Sequence, residues 1–266
     1  MKKERTRLKV ETAAIVIPAA LVVSILIFKF VFGASGNFIG GDNHNLPLSG
    51  NFSGTIYKGG FIVPILMTFL LTVITFCVER YITIGKAEGK GSSVRLISKV
   101  KSHLEQNEVN QAKELCDQQR GSLGNVIKSG LIKYSDVEDD TTMSKEQKTL
   151  AIQKDIEEST SLELPALEQN LVILATLSSV STLMGLLGTV LGMIRSFAAM
   201  ANAGAPDSIK LATGISEALI NTAFGIGTAA LAVIAYNYFT TKIDKITYSI
   251  DEAGYTLVQT YASAHK

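Results

Sequence analysis

The chain has 266 residues, 47% of them apolar and 18% charged, with a formal net charge of +1 and a mean hydropathy of +0.26. It is too apolar for an ordinary soluble domain and too balanced in charge for a nucleic-acid binder, which indicates an integral membrane protein with no nucleic-acid partner. Cys77 lies in an apolar run and Cys116 in a charged one, and His44, His103 and His265 are scattered, so the sequence offers neither a disulfide framework nor a metal site.

Residues 1–11 carry Lys2, Lys3, Arg5, Arg7 and Lys9 and read as a cytoplasmic N-terminus. The apolar run that follows, 12–33, is longer than the roughly 7–15 residues of a signal-peptide core, so it reads as an uncleaved spanning helix. Lys29, near its far end, can snorkel to the interface. Residues 34–60 are a Gly/Asn/Ser loop with one lysine, on the side of the membrane opposite the N-terminus; its Asn51-Phe52-Ser53 sequon is of a kind common by chance. A second spanning helix is expected over 61–84, with the doublet Glu79-Arg80 where the apolar run ends.

From 85 to 168 the chain is hydrophilic with short apolar stripes: Val94, Ile97, Val100 and Leu104, then Val109, Ala112 and Leu115, then Val126, Ile127, Leu131 and Ile132. These are amphipathic helices of a small cytoplasmic domain, expected to break at Gly121, Gly124 and Gly130 and at the acidic stretch 136–140. Helical character resumes at Ser144 and is expected to run on into the membrane, with Pro165 as a kink point.

Two long apolar runs follow, 169–200 and 211–238, separated by a short polar turn at 201–210. Each is long enough to cross a hydrocarbon core of about 30 Å at about 1.5 Å per residue. Hydroxyls interrupt the first, and Glu217, Asn221, Thr222 and Thr228 the second; polar groups in hydrocarbon are normally turned toward protein or a water path. Thr182, Thr189 and Ser196 recur every seventh residue and so share a helix face, while Ser181, Gly185, Gly188 and Gly192 form a narrow strip beside it. Ala218, Thr222, Gly225, Ala229 and Ala232 make a similar seam on the second helix, the small-residue pattern that lets membrane helices approach closely. Counting outward from Pro206, Thr189 is 17 residues before and Thr222 16 after, while Arg195 and Glu217 are each 11 away. The two threonines therefore share one membrane level, and Arg195 and Glu217 share another nearer the turn, where an ion pair is expected within a hairpin or between subunits. The alternative leaves Arg195 snorkelling outward and Glu217 facing pore water.

The tail, 239–266, carries Phe239, Ile243, Ile246, Ile250, Ala253 and Leu257 at helical spacing and reads as an amphipathic helix in water. Lys and Arg number five in the N-terminus and thirteen in 79–170 but one in each of the other two loops. By the positive-inside rule both chain ends and the helical domain are cytoplasmic.

The segment GLLGTVLGMIRSF (185–197), followed by GISEALINTAFGI (214–226) and Tyr236-Asn237, resembles the ExbB/TolQ proton-channel family, within the wider group that includes MotA. The resemblance implies an all-α polytopic protein of the bacterial inner membrane, here with four transmembrane helices and a cytoplasmic helical domain. It implies a homo-oligomeric ring, five-membered by that likeness, around an ExbD/TolR-like single-span partner, expected as a dimer in the central pore, with a TonB-like protein and membrane lipid as further contacts. Thr189 and Thr222 match the family's pore threonines and Glu217 its intramembrane glutamate; Thr182 and Ser196 join them as candidate pore-lining groups. Gly185, Gly188, Gly192 and Gly225 are the candidate packing residues. Thr182 and Leu231 stand where the family often carries proline, and the first spanning helix is additional to the three-helix ExbB/TolQ plan.

The expected function is a motor subunit that turns proton motive force into work on the cell envelope, energising outer-membrane transport. A non-conducting scaffold and a MotA-like motility stator are the alternatives. Intramembrane hydrolysis would need a nucleophile with its base, or paired acids, at one depth; no spanning run contains His or Asp, and Glu217 is the only carboxylate deep in one. Gly225-Ile-Gly227-Thr-Ala-Ala230 has no preceding strand and is no dinucleotide site. No enzyme activity, cofactor or metal is expected.

Overall fold

The computed structural model describes residues 2–201 and 208–264, with side chains from residue 14 onward except at 208. The expected turn around Pro206 lies outside the described residues. The protein is all-α: among the described residues the sole β pairing is an isolated bridge between Phe38 and Pro47. Among the described residues four helical stretches are long and apolar enough to cross a membrane, within Ala14–Phe32, Ile62–Glu105, Lys145–Ala201 and Ile209–Ala264. The chain divides into two compact units, Met1–Val78 with Val172–Tyr236, and Glu79–Leu171 with Asn237–Lys266.

The first unit opens with α1 (Lys2–Leu26), which passes into a π-helical turn over Ile27–Phe32. α1 buries the small residues Ala20 and Ser24 and leaves Leu21, Val22 and Val23 exposed, as suits a helix with hydrocarbon on most sides. The π-turn brings Ile27, Phe28 and Phe32 onto a core of Ile56, Val63 and Met67, joined by Ile220 and Phe224. Residues 34–60, the Gly/Asn/Ser loop, are stitched together by side-chain hydrogen bonds. Asn37 donates to the carbonyls of Val31 and Phe32 and accepts from Asn51 Nδ2 at 3.0 Å. Asn51 also caps α2 (Phe52–Tyr57) by accepting from the Gly54 N–H at 3.0 Å. Tyr57 stacks on Phe28 and meets Phe38 edge-on, and Lys58 Nζ donates to the carbonyls of Asn43 and His44, each at 3.0 Å. Partial burial holds the Lys58 ammonium below its ordinary pKa, opposed by Asp42.

Three long helices complete this unit and run to or into the second: α3 (Ile62–Glu88), α8 (Leu171–Ala201) and α9 (Ser208–Ala264). α8 and α9 meet through their small residues. A Cβ on Gly185 would lie 3.0 Å from Gly225 Cα, and one on Gly192 would lie 2.8 Å from the Ala218 nitrogen and the Gly214 oxygen. Any larger side chain there would force the helices apart.

In the second unit, α4 (Ser93–Glu105) buries Leu96, Ile97, Val100 and Leu104, and α5 (Val109–Gln119) buries Ala112 and Cys116. Val94, expected in the stripe, is exposed and Leu96 takes the inward place. α6 (Gly121–Glu138) is continuous through Gly124 and Gly130, contrary to the breaks expected there. These glycines are points of close approach: a Cβ on Gly130 would lie 2.7 Å from Leu257 Cδ2 and 2.8 Å from Ile156 Cγ1. α7 (Lys145–Glu168) begins with a capping box between Ser144 and Gln147. On the α9 tail, Phe239, Ile243, Ile246, Ile250, Ala253, Leu257 and Tyr261 are all buried.

The helical run from Ser144 is interrupted before α8. Pro165 sits within α7, and the chain breaks at Gln169 and at Asn170, whose φ of 67° is left-handed. The physical reason is Arg80, 1% exposed. Its Nη1 donates to the Leu167 carbonyl at 3.0 Å and the Ala166 carbonyl at 3.4 Å, while Nε and Nη2 hold Glu79 at 2.6 and 2.5 Å. Asn170 Nδ2 donates to the same carboxylate at 3.2 Å. The carbonyls orphaned at a helix end thus find a guanidinium.

Candidate functional site

The α8–α9 hairpin is apolar enough that each polar side chain in it needs a partner. At the first polar level Thr189 and Thr222 are in direct hydroxyl contact across the two helices. Each also donates back to its own helix, Thr189 Oγ1 to the Gly185 carbonyl at 3.2 Å and Thr222 Oγ1 to the Ala218 carbonyl at 3.1 Å, in alternative orientations of the one hydroxyl proton. Both are half-buried, so this pair sits at the edge of the helix contact and not within it.

Toward the turn, Arg195 Nη1 donates to Glu217 Oε1 within the same hairpin. The two side chains differ in environment: Glu217 is 7% exposed and Arg195 50%. The guanidinium also lies over the Phe61 ring, 5.7 Å from its centroid. Beside the pair opens a cleft of about 700 Å³ whose walls include His44, Leu46, Lys58, Arg195, Lys210 and Glu217.

The candidate hydroxyl face is not one surface. Thr182 is exposed and donates to the Ser178 carbonyl at 3.2 Å, Thr189 is half-buried, and Ser196 is 1% exposed. Ser196, expected to line a pore, is turned into the α8–α9 contact, where its Oγ reaches the carbonyls of Gly192 at 3.1 Å and Leu211 at 3.3 Å. A seven-residue repeat drifts about 20° per heptad around a straight helix, enough over two heptads to carry its members from one side of a contact to another. Gly188 packs directly on Asn221.

Sequence reasoning passed over two features. Asn221, noted only as a polar interruption, is fully buried and donates from Nδ2 to the Gly59 carbonyl at 3.0 Å. Gly60, with φ of +78°, lies against Glu217: a Cβ there would collide with Oε1 and stand 3.1 Å from Cδ. The signals were present, a glycine pair at the start of a spanning helix and an amide at position i+4 from the carboxylate, but nothing in the sequence ties residue 59 to residue 221.

Chemically, the hairpin offers two hydroxyls that can donate or accept and one carboxylate paired with a cation. Among the described residues no group of three or more His, Cys, Asp or Glu could hold a metal. A hydroxyl pair can order water or solvate a carboxyl, but does not itself titrate near neutral pH.

Comparison with known proteins bears on this geometry. The model of the MotA/TolQ/ExbB proton channel family matches residues 119–252. The Tol-Pal system protein TolQ of Haemophilus influenzae is 42% identical over 84 residues, 32% of this chain and 37% of that protein. TolQ of Pseudomonas aeruginosa is 44% identical over 80 residues, 30% of this chain and 35% of its own. The biopolymer transport protein ExbB of Salmonella typhimurium is 41% identical over 70 residues, covering 26% and 29% respectively. The aligned stretch thus spans about a third of each relative's length.

Proposed function

Because the chain belongs to the MotA/TolQ/ExbB proton channel family, we propose that it is an ExbB/TolQ-like subunit of an inner-membrane proton channel and motor, drawing on proton motive force to do mechanical work on the cell envelope. The observation that carries this reading is the pair of polar levels in the hairpin, Thr189 with Thr222 and Arg195 with Glu217, set in helices with no other deep carboxylate. Hydroxyls alone cannot pass a proton that must be taken up and released, so a titratable carboxyl on an ExbD/TolR-like single-span partner completes the route. Several copies of this chain form the wall around that partner. Both termini and the second unit lie in the cytoplasm, as the Lys/Arg distribution favours, and residues 34–60 and the turn at 201–210 lie in the periplasm.

One observation favours the scaffold reading: Thr182, Thr189, Ser196 and Thr222 can all bond back to carbonyls of their own helix, which is what hydroxyls do when they serve packing alone. The two readings separate in reconstituted vesicles. The chain purified with its partner from native membranes should acidify or alkalinise the lumen under an imposed potential, read by an enclosed pH dye. Vesicles whose proton permeability matches protein-free controls at every potential would leave the scaffold.

A further inference from the structure

We propose that Asn221 is a positioning residue that clamps the turn Gly59-Gly60-Phe61 over Glu217, and that this turn is the cover controlling how water and ions reach the carboxylate. The inference deepens the reading of Glu217 as part of the proton route and rests on it.

Three consecutive residues of the turn each meet a different polar side chain of the hairpin. The Gly59 carbonyl accepts from Asn221 Nδ2 at 3.0 Å. Gly60 lays its backbone on the Glu217 carboxylate, and a Cβ there would also stand 3.4 Å from Arg195 Nη1. Phe61 puts its ring under the Arg195 guanidinium. Gly59 has no more room than Gly60, since a Cβ on it would collide with Val63 Cγ2 and lie 3.0 Å from Ile220 Cγ2. Two adjacent glycines therefore let the main chain come as close to α9 as it does, and the carboxylate beneath is 7% exposed.

The identity of residue 221 argues for a clamp over simple filling. Its side chain is fully buried, and its Oδ1 has no hydrogen-bond partner among the described residues. An unpaired buried acceptor is costly. Leucine has the same branched skeleton and no polar atom to satisfy beside Gly188, so what the amide adds is the one donor that holds Gly59. Away from the turn, Glu217 meets the cleft whose charged and titratable groups are His44, Lys58, Arg195 and Lys210. An approaching ion must come past cationic walls on that side, while the clamped turn shuts the other.

The clamp is tested by accessibility, independently of conduction. In the full chain with Cys77→Ala and Cys116→Ala, Glu217→Cys serves as a reporter for a charged, membrane-impermeant thiol reagent. Adding Asn221→Leu should speed labelling about fivefold or more, the factor expected for loss of one buried hydrogen bond. Adding Asn221→Asp instead tests the donor itself, because a carboxyl of the same shape can donate to Gly59 only while protonated. Its labelling rate, divided at each pH by that of the reporter with Asn221 intact, should rise as the aspartate ionises. Unchanged labelling in Asn221→Leu together with a flat ratio for Asn221→Asp would overturn the clamp. If Asn221→Leu yields no detergent-stable protein, the Asn221→Asp ratio decides alone. Proton flux in vesicles holding the unsubstituted chain with its partner tests the channel reading separately, since permeability equal to that of protein-free controls there would leave the labelling results standing.

Discussion

Thr189 and Thr222 touch each other at the edge of the helix contact, a place where a hydroxyl can serve water or a partner's carboxyl without being needed for packing. Valine keeps the shape and removes the hydroxyl, so Thr189→Val/Thr222→Val should assemble normally while motive-force-driven proton flux falls by about tenfold or more, equivalent to about 1.4 kcal/mol of barrier. Normal flux in the double variant would hand the pair to packing. Arg195 and Glu217 are unequally placed, one half exposed and the other nearly buried, so removing the guanidinium strands the carboxylate more than the reverse. A double-mutant cycle with Arg195→Gln and Glu217→Gln should give a coupling of about 1–2 kcal/mol in thermal stability, below the roughly 3–5 kcal/mol seen when fully buried pairs are broken, because water screens the arginine. Additive effects would mean the contact contributes nothing. Cys116 presents the opposite of a reactive thiol: burial, with Asp117 beside it, pushes its pKa up to about 12. It remains a protonated thiol at neutral pH, and mass spectrometry of the folded protein treated with iodoacetamide should find it unmodified until denaturant is added.

α7 and α8 are separate helices because Arg80 supplies the groups that end one of them. Arg80→Met would leave the carbonyls of Ala166 and Leu167 without the guanidinium and the Glu79 carboxylate with only Asn170 and Thr83, a loss of about 2–4 kcal/mol. The melting temperature of the detergent-solubilised protein should drop accordingly. Arg80→Lys should recover less than half of the loss, since an ammonium cannot fork between a carboxylate and two carbonyls as a guanidinium does; full recovery would show that only the charge matters. The break could not be read from local sequence. Pro165 marks the neighbourhood, but the break is at Asn170, and the residue that stabilises it is distant in the chain. The same holds for 34–60, which looks like a flexible loop because its order comes from Asn37, Asn51 and Lys58 reaching across it to main-chain carbonyls and to one another. Gly124 and Gly130 misled in the other direction, since a glycine that permits close helix contact looks in sequence like one that ends a helix. Legible in the α9 tail was periodicity against burial: Phe239, Ile243, Ile246, Ile250, Ala253 and Leu257 recur at helical spacing and all six are inside. In the hairpin, equal counting from Pro206 placed Thr189 opposite Thr222 and Arg195 opposite Glu217 without needing the turn itself, because two antiparallel helices of constant rise keep equal distances from their junction at equal depth. What counting could not supply was rotation, which is why Ser196 faces α9 and Thr182 faces outward.

A single copy leaves the spanning unit with surfaces of two kinds that lipid cannot cover equally well. On α8, Leu183, Leu186, Val190, Ile194 and Phe197 are exposed and apolar and suit hydrocarbon. The exposed Thr182 and the half-buried Thr189 and Thr222 lie among them and gain more from other protein or from confined water. A monomer would place that polar edge against acyl chains, whereas copies arranged about an axis can turn it inward and present the apolar, largely exposed stretch 14–26 of α1 to the bilayer. Closed point-group symmetry is the usual outcome when identical surfaces meet by one rotation. The protein purified without its partner should therefore appear by native mass spectrometry as a homo-oligomer of one stoichiometry, five by the resemblance to ExbB/TolQ. Single-particle images should show a central opening lined by α8 and α9. A monodisperse monomer in mild detergent, active once reconstituted with its partner, would require the polar edge to be covered by the partner alone and would overturn the ring.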